Sequence, residues 1–215
     1  MLKKSLVGAC IATMLAAGPA LAHPHIFVDA ELEVIADNSG NVAKLRNAWT
    51  FDEVFSSSVI LDFDTNQDLK LDASELQKLA TTIYGSLADY GYFTVVTHNG
   101  HDLKMAKPEN FKAHYKDGQM SVTFDISPQA PTPAKGSLTF SIYDPTFYTA
   151  IDYKTDDHFK LDGKAFTACK RTVVRPDADK ILSQNQSMMT ESFFANPGGS
   201  DYGKMFATRL ELACP

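Results

Sequence analysis

Apolar and polar residues alternate through 26–35 and again through 42–49, with the turn-forming run Asp37-Asn38-Ser39-Gly40 between them. A period of two predicts a pair of strands. The period then changes. From 53 to 63 the apolar residues Phe55, Val59, Ile60 and Phe63 recur at three- and four-residue spacing, which predicts a helix. A second helix is expected from about Ala73, with Leu76, Leu79, Ala80, Ile83 and Leu87 on its apolar face and Gly91 just past its end as a cap. From Tyr92 the alternation returns, with hairpin signals at Asn99-Gly100 and Asp117-Gly118, both favoured in type I′ turns. In the second hairpin a two-residue turn sets Tyr115 opposite Met120, Ala113 opposite Val122 and Phe111 opposite Phe124. Lys112, His114 and Lys116 then face outward. Beyond a Pro-rich connector at 128–135, strands are expected at 136–143, 147–153 and 166–174, then a short helix at 177–184 and an irregular tail. The expected fold class is α+β: a β-rich, sandwich-like domain with an inserted, EF-hand-like helix-loop-helix at about 53–91.

The first 22 residues stand apart from this pattern. Lys3 and Lys4 open a short apolar stretch, Gly18-Pro19 breaks it, and Ala20-Leu21-Ala22 forms a small-x-small cleavage site. That is the build of a secretory signal, and the stretch is too short to span a bilayer. A lipoprotein cut at Cys10 would leave almost no apolar region before it, so the mature chain is expected to start at His23 in the periplasm without a membrane anchor. The 193 remaining residues suffice for a single domain, 23–215. Their balance is 18 Lys+Arg against 26 Asp+Glu, a net charge of −8. An acidic surface disfavours nucleic acid and anionic membranes as partners and suits cations. Two cysteines stay in the mature chain, Cys169 and Cys214, and in an oxidising compartment they are expected to pair. Service as metal ligands is the alternative, and a CxxC spacing is missing.

Between the two helices lies the most specific chemistry. Residues 64–75 read D-T-N-Q-D-L-K-L-D-A-S-E, which puts Asp64, Asn66, Asp68, Asp72 and Glu75 at positions 1, 3, 5, 9 and 12 of a calcium-binding EF-hand loop. Lys70 at position 7 would offer its backbone carbonyl, and Leu71 at position 8 would anchor the loop to the core. Calcium takes six to eight oxygens, and alternating carboxylates on a tight loop can supply them. Position 6 is Leu69 where the motif has Gly; positive φ at a non-Gly residue costs about 1–3 kcal/mol. A single loop of that kind suits a structural ion with a dissociation constant of about 10⁻⁴–10⁻³ M. The plainer alternative is that Asp72-x-x-Glu75 is only a capping box opening the second helix.

Six histidines offer a second, softer chemistry. After cleavage, His23 would carry an α-amine with pKa of about 8 beside its imidazole, with His25 two residues on, a donor set suited to nickel, cobalt, zinc or copper. His98 and His101 flank a two-residue turn and should be directly opposed, with Asp102 as an outer partner. Polar residues flanking an exposed turn are the plain alternative. His114 and His158 read as surface residues. No G-x-S-x-G, H-E-x-x-H, phosphate-loop or dinucleotide fingerprint occurs, so no catalytic role is expected.

The start A-L-A-H-P-H-I-F-V-D, the run Trp49-Thr50-Phe51-Asp52, the acidic loop ending Asp72-Ala73-Ser74-Glu75-Leu76 and the stretch 144–148 together carry a resemblance. Across nearly the whole mature chain the sequence resembles a family of uncharacterised bacterial proteins described as the periplasmic component of an ABC-type transport system. The resemblance implies a periplasmic protein associated with nickel/cobalt-type permeases in the inner membrane, with the family's His-Pro-His start carried onto His23, Pro24 and His25. A chain of this size is small for a two-lobed solute receptor. The expected function is therefore that of a metal-binding accessory to a transition-metal transporter, with a structural calcium site. A copper protein with an N-terminal histidine brace and a calcium-stabilised interaction module are the rival expectations.

Overall fold

The computed structural model describes residues 24–185 and 202–215. The first alternating stretch forms β1 (Ile26–Ala36) and β2 (Val42–Phe51), antiparallel from Val28 opposite Phe51 to Val34 opposite Leu45. Asp37 closes the turn between them by accepting the N–H groups of Ser39 and Asn41 at 2.9 and 2.8 Å. The two helices follow as α1 (Glu53–Phe63) and α2 (Ala73–Ala88). Then come β3 (Thr94–His98), β4 (His101–Asp102), β5 (Glu109–Lys116), β6 (Gln119–Ile126), β7 (Gly136–Ile142), β8 (Thr149–Asp152), β9 (Phe159–Asp162) and β10 (Lys170–Val174). Two short helices, α3 (Ala178–Gln184) and α4 (Gly203–Phe206), precede β11 (Arg209–Cys214).

Ten of the eleven strands lie in two sheets through one run of neighbours each, β5-β6-β2-β1-β8 and β10-β11-β7-β3-β4, and β9 joins the first sheet on β1. β1 is the hub of the first sheet. One of its edges holds β2; the other holds β8 along Ile26–Asp29 and β9 along Leu32–Ile35, both parallel to it. The second sheet is antiparallel throughout. One continuous core joins the two sheets, with Leu32, Leu45, Trp49 and Phe124 contributed by the first and Val96, Phe140 and Leu210 by the second. The architecture is thus a mixed α+β arrangement of two sheets and mostly strands, with α2 packed on β5 and α1 on β6.

Four expectations change. The tail is not irregular at its end: β11 sits between β10 and β7, burying Leu210, Leu212 and Cys214 on alternate positions. β9 lies where no strand was expected, and the strand expected from 166 begins only at Lys170, after a 3-10 turn at Lys164–Phe166. Gly91 does not cap α2; it opens a left-handed run through Tyr92 and Phe93, with φ near +55°, that turns the chain into β3. Asn110, also at positive φ, makes a bulge in β5, so Phe111 leaves the ladder register with Phe124 yet stacks on it with ring centroids 5.3 Å apart. The rest of that hairpin has the expected register, with Tyr115 opposite Met120 and Ala113 opposite Val122.

Cys169 and Cys214 form a disulfide across 45 residues, tying the last residue but one to the chain just before β10. The loop-closure account predicts that reducing it costs about 4 kcal/mol of folding free energy. Urea unfolding with and without reductant measures this. A loss below about 1 kcal/mol would show that β10 and β11 hold each other without the covalent link.

Candidate functional site

The helical hairpin is fixed to the first sheet at one end. Asp52, the residue after β2, accepts the N–H groups of Val54 and Phe55 with Oδ1 and that of Phe27 on β1 with Oδ2 at 2.8 Å. It therefore caps α1 and staples the cap to a neighbouring strand. Burial alone would raise the Asp52 pKa, but the N–H groups of Phe27, Phe55 and Val54 outweigh it and hold the carboxyl below its usual range. One turn on, the buried Ser56 hydroxyl donates to the Asp52 carbonyl and accepts the Met120 N–H, which fastens α1 to β6.

At the other end of α1 the chain enters the acidic loop. Asp64 accepts the N–H groups of Asp68 and Leu69, Asn66 that of Asp68, and Asp68 that of Lys70. Successive side-chain oxygens thus fold back over the loop's own backbone. Leu69 takes φ of +63° with 77 % of its surface exposed, the left-handed geometry expected at that position. Asp72 and Glu75 form a reciprocal capping box at the start of α2. Glu75 does more than cap: its other oxygen accepts both the N–H and the hydroxyl of Thr65 at 2.7 Å, closing the two ends of the loop together with only 1 % of the residue exposed. Hydrogen bonds from Asp72 and Thr65 hold the Glu75 carboxyl below its usual range. Leu71 packs against the core. Among the described residues, no three of the His, Cys, Asp and Glu side chains stand close enough to share one ion.

The histidines are dispersed. His23 lies outside the described residues, as does the signal segment. His25 is exposed, with its ring 4.8 Å from that of Tyr148 and its N–H donated to the Tyr148 carbonyl. His98 and His101 are directly opposed across Asn99-Gly100, both turn residues having positive φ. His98 Nε2 lies 2.8 Å from the Lys135 carbonyl, which can only accept, so the ring proton sits there and Nδ1 is the nitrogen left over. Asp102, expected beside this pair, instead pairs with Lys204 at 3.3 Å. His98 is paired with Leu138 of β7, whereas the backbone of His25 is bonded to Tyr148. His158, expected at the surface, is half-buried, bonded through Nδ1 to the Ala30 carbonyl and 3.3 Å from Asp29, whose other oxygen pairs with Lys154.

Two features escape a reading by motif. The Asp144 carboxylate, 5 % exposed, accepts the N–H and hydroxyl of Thr146 and the N–H of Thr149, and so builds the corner on which His25 and Ile26 rest. Between that corner, the hairpin and the ends of β1 and β2 lies a cavity of about 560 Å³. Its walls come from residues that periodicity marks only as apolar, so its existence depends on tertiary placement.

A family model described as a protein of unknown function (DUF1007) matches residues 8–214. An uncharacterized protein of Haemophilus influenzae is 26 % identical over 198 residues, 90 % of this chain and 92 % of its own length. An uncharacterized 15.5 kDa protein in the trpE 3′ region of Spirochaeta aurantia is 31 % identical over 91 residues, 42 % of this chain and 65 % of its own.

Two outcomes follow for the loop. Leu69→Gly should stabilise the protein by about 1 kcal/mol, since relief of left-handed strain exceeds the added freedom of the unfolded chain. Chemical denaturation measures it, and no gain would mean the position is unstrained. Asp52, Asp72 and Glu75 all have lowered folded pKa values. Their contribution is therefore complete above the unfolded carboxylate range of about pH 4 and is lost as pH falls through the folded values. Glu75→Gln should flatten the acid limb of a stability–pH curve; an unchanged slope would refute that assignment.

Proposed function

The chain belongs to the DUF1007 family, and on that footing we propose that it is an exported metal-binding accessory protein whose 64–75 loop holds a structural calcium ion. The observation that carries this reading is the path of the loop. Asp64, Asn66 and Asp68 turn their oxygens back over consecutive N–H groups while Leu69 accepts positive φ. An oxygen that accepts one N–H keeps a second lone pair for a cation. Asp64, Asp68, Asp72 and Glu75 also place four negative charges within twelve residues, with Lys70 as the cation among them. Carboxylates crowded in this way repel, and a divalent ion relieves the repulsion. Binding would draw them inward from their present spacing. Because the loop is single and joins two helices packed on the core, its ion is read as a brace, while a transition metal is the cargo.

For the cargo, the His23–His25 start is the stronger proposal. At the His98–His101 turn one ring nitrogen is already committed to Lys135 and Asp102 to Lys204. A nickel-, cobalt-, zinc- or copper-type ion held by His23 and His25 would be handed over to a membrane permease, which is the partner that the family resemblance implies.

Calcium at about 10 mM, roughly 100 times a dissociation constant of about 10⁻⁴ M, should stabilise the protein by about 2.7 kcal/mol and raise Tm by about 5–10 °C. Glu75→Gln should abolish the shift. In calorimetry, protein processed to start at His23 should take up nickel or copper, and one added residue before His23 should weaken that binding sharply. A Tm indifferent to calcium would reject the brace; indifference to the added residue would reject the amine as ligand.

A further inference from the structure

The two sides of α1 differ in what they touch. Phe55, Val59 and Phe63 face the core and the cavity beneath the hairpin. On the outer side Val54 and Leu61 stand 81 % and 84 % exposed. They are seven residues apart, close to two helical turns, and so lie in one line along the helix. Ser57 and Ser58 come between them, with both hydroxyls donated to carbonyls of the same helix, those of Glu53 and Phe55. The result is an apolar stripe with a shallow dip at its centre and no free hydroxyl donor, spaced like one seam of a helix pair. A helix with apolar residues all round is one that packs on both sides. Among the described residues nothing covers the outer one.

The charge around the stripe decides what kind of surface fits it. Residues 52–90 carry eight Asp and Glu against two Lys, a net of −6 out of the −8 of residues 23–215. At about 100° per residue, Glu53 and Asp62 fall on opposite flanks of the stripe. Both are exposed, and neither is ion-paired among the described residues. A second copy set against this face would bring two such hairpins together, and like charges at close range oppose that. An anionic lipid surface is disfavoured for the same reason. A helix with apolar residues along one side and Lys or Arg on its flanks matches both the stripe and the carboxylates.

We propose that the outer face of α1 is a docking site for a basic amphipathic helix of another polypeptide. Val54 and Leu61 enter the apolar side of the partner. The serines between them let the two helix axes approach to about 8–10 Å, and Glu53 and Asp62 receive its cations from either flank. The site rests on α1 and not on whether the 64–75 loop holds calcium.

The full mature protein is titrated, in buffer with EDTA so that calcium plays no part, into a fluorescein-labelled helical peptide of Leu and Lys with Leu at the heptad a and d positions. A counterpart with Glu in place of Lys serves as the second probe, and anisotropy reads binding of each. The basic peptide should bind saturably and at least about tenfold more tightly than the acidic one. Val54→Ser combined with Leu61→Ser should leave Tm unchanged and weaken the basic peptide about tenfold. Ser57→Arg, which fills the dip with a cation, should do the same and keeps the test open if the double variant folds poorly. Glu53→Gln with Asp62→Asn should weaken binding about fivefold. Asp117→Asn with Asp157→Asn, an equal change of net charge at exposed sites elsewhere, should change it less than about twofold. Equal affinity for both peptides, affinity indifferent to the stripe variants, or equal effects of the two carboxylate pairs would each overturn the proposal. So would a dimer in sedimentation, or capture by phosphatidylglycerol vesicles, that Val54→Ser with Leu61→Ser abolishes, since the stripe would then serve a second copy or a membrane.

Discussion

The carboxylate of Asp52 decides where the helical hairpin stands. Three backbone N–H groups converge on it, two from the first turn of α1 and one from β1. An isolated helix of eleven residues is marginal in water, so α1 depends on its cap and its packing more than on propensity. Its composition gives little help: Ser56, Ser57 and Ser58 sit in succession, each with its hydroxyl turned back to a carbonyl of its own helix or of the cap, a habit that weakens helices. With the cap stapled to Phe27, the first turn of α1 cannot drift from the sheet. The cavity wall at Phe55 and Val59 and the entry to the acidic loop at Asp64 then follow from helix geometry.

How much of this was legible depended on whether the deciding contact was local. The β1–β2 pair, both main helices and the β5–β6 hairpin were readable because a turn of a few residues, or a cap and an apolar stripe, carries the whole instruction. β8 was expected at 147–153, but β9 was missed, since it is only four residues long and becomes a strand by lying parallel on β1, more than a hundred residues away in sequence. β11 is a different case. Leu210, Leu212 and Cys214 do alternate, but six residues behind a Gly-rich run read as tail until β7 and β10 are seen on either side. Gly91 was misplaced because the left-handed residues after α2 include Tyr92 and Phe93, which local rules do not expect there.

The acidic loop was the part of the candidate site most open to reading by spacing, since its oxygens recur every second residue and one of its two left-handed residues, Leu69, falls where the pattern demands a glycine; the other, Gln67, was not foreseen. The capping box between Asp72 and Glu75 is present, and the same Glu75 bridges back to Thr65. The histidine turn shows the opposite. Opposed Cα positions were foreseeable from a two-residue turn, whereas the commitment of His98 Nε2 to the Lys135 carbonyl depends on a chain segment 37 residues distant. The cavity was invisible for the same reason, because its walls are ordinary apolar residues until six separate elements are brought around them.

The loop and the cavity meet at one helix end. Phe63 closes the cavity wall and Asp64 opens the loop, on consecutive residues of the same helix end. The far end of α1 is fixed by Asp52 and Ser56, and α2 rests on β5, but the loop end is held chiefly by hydrogen bonds within the loop itself, from Thr65 and Asp72 to Glu75. The helix end that shapes this part of the cavity wall is thus the one whose position the hydrogen bonds of the loop define.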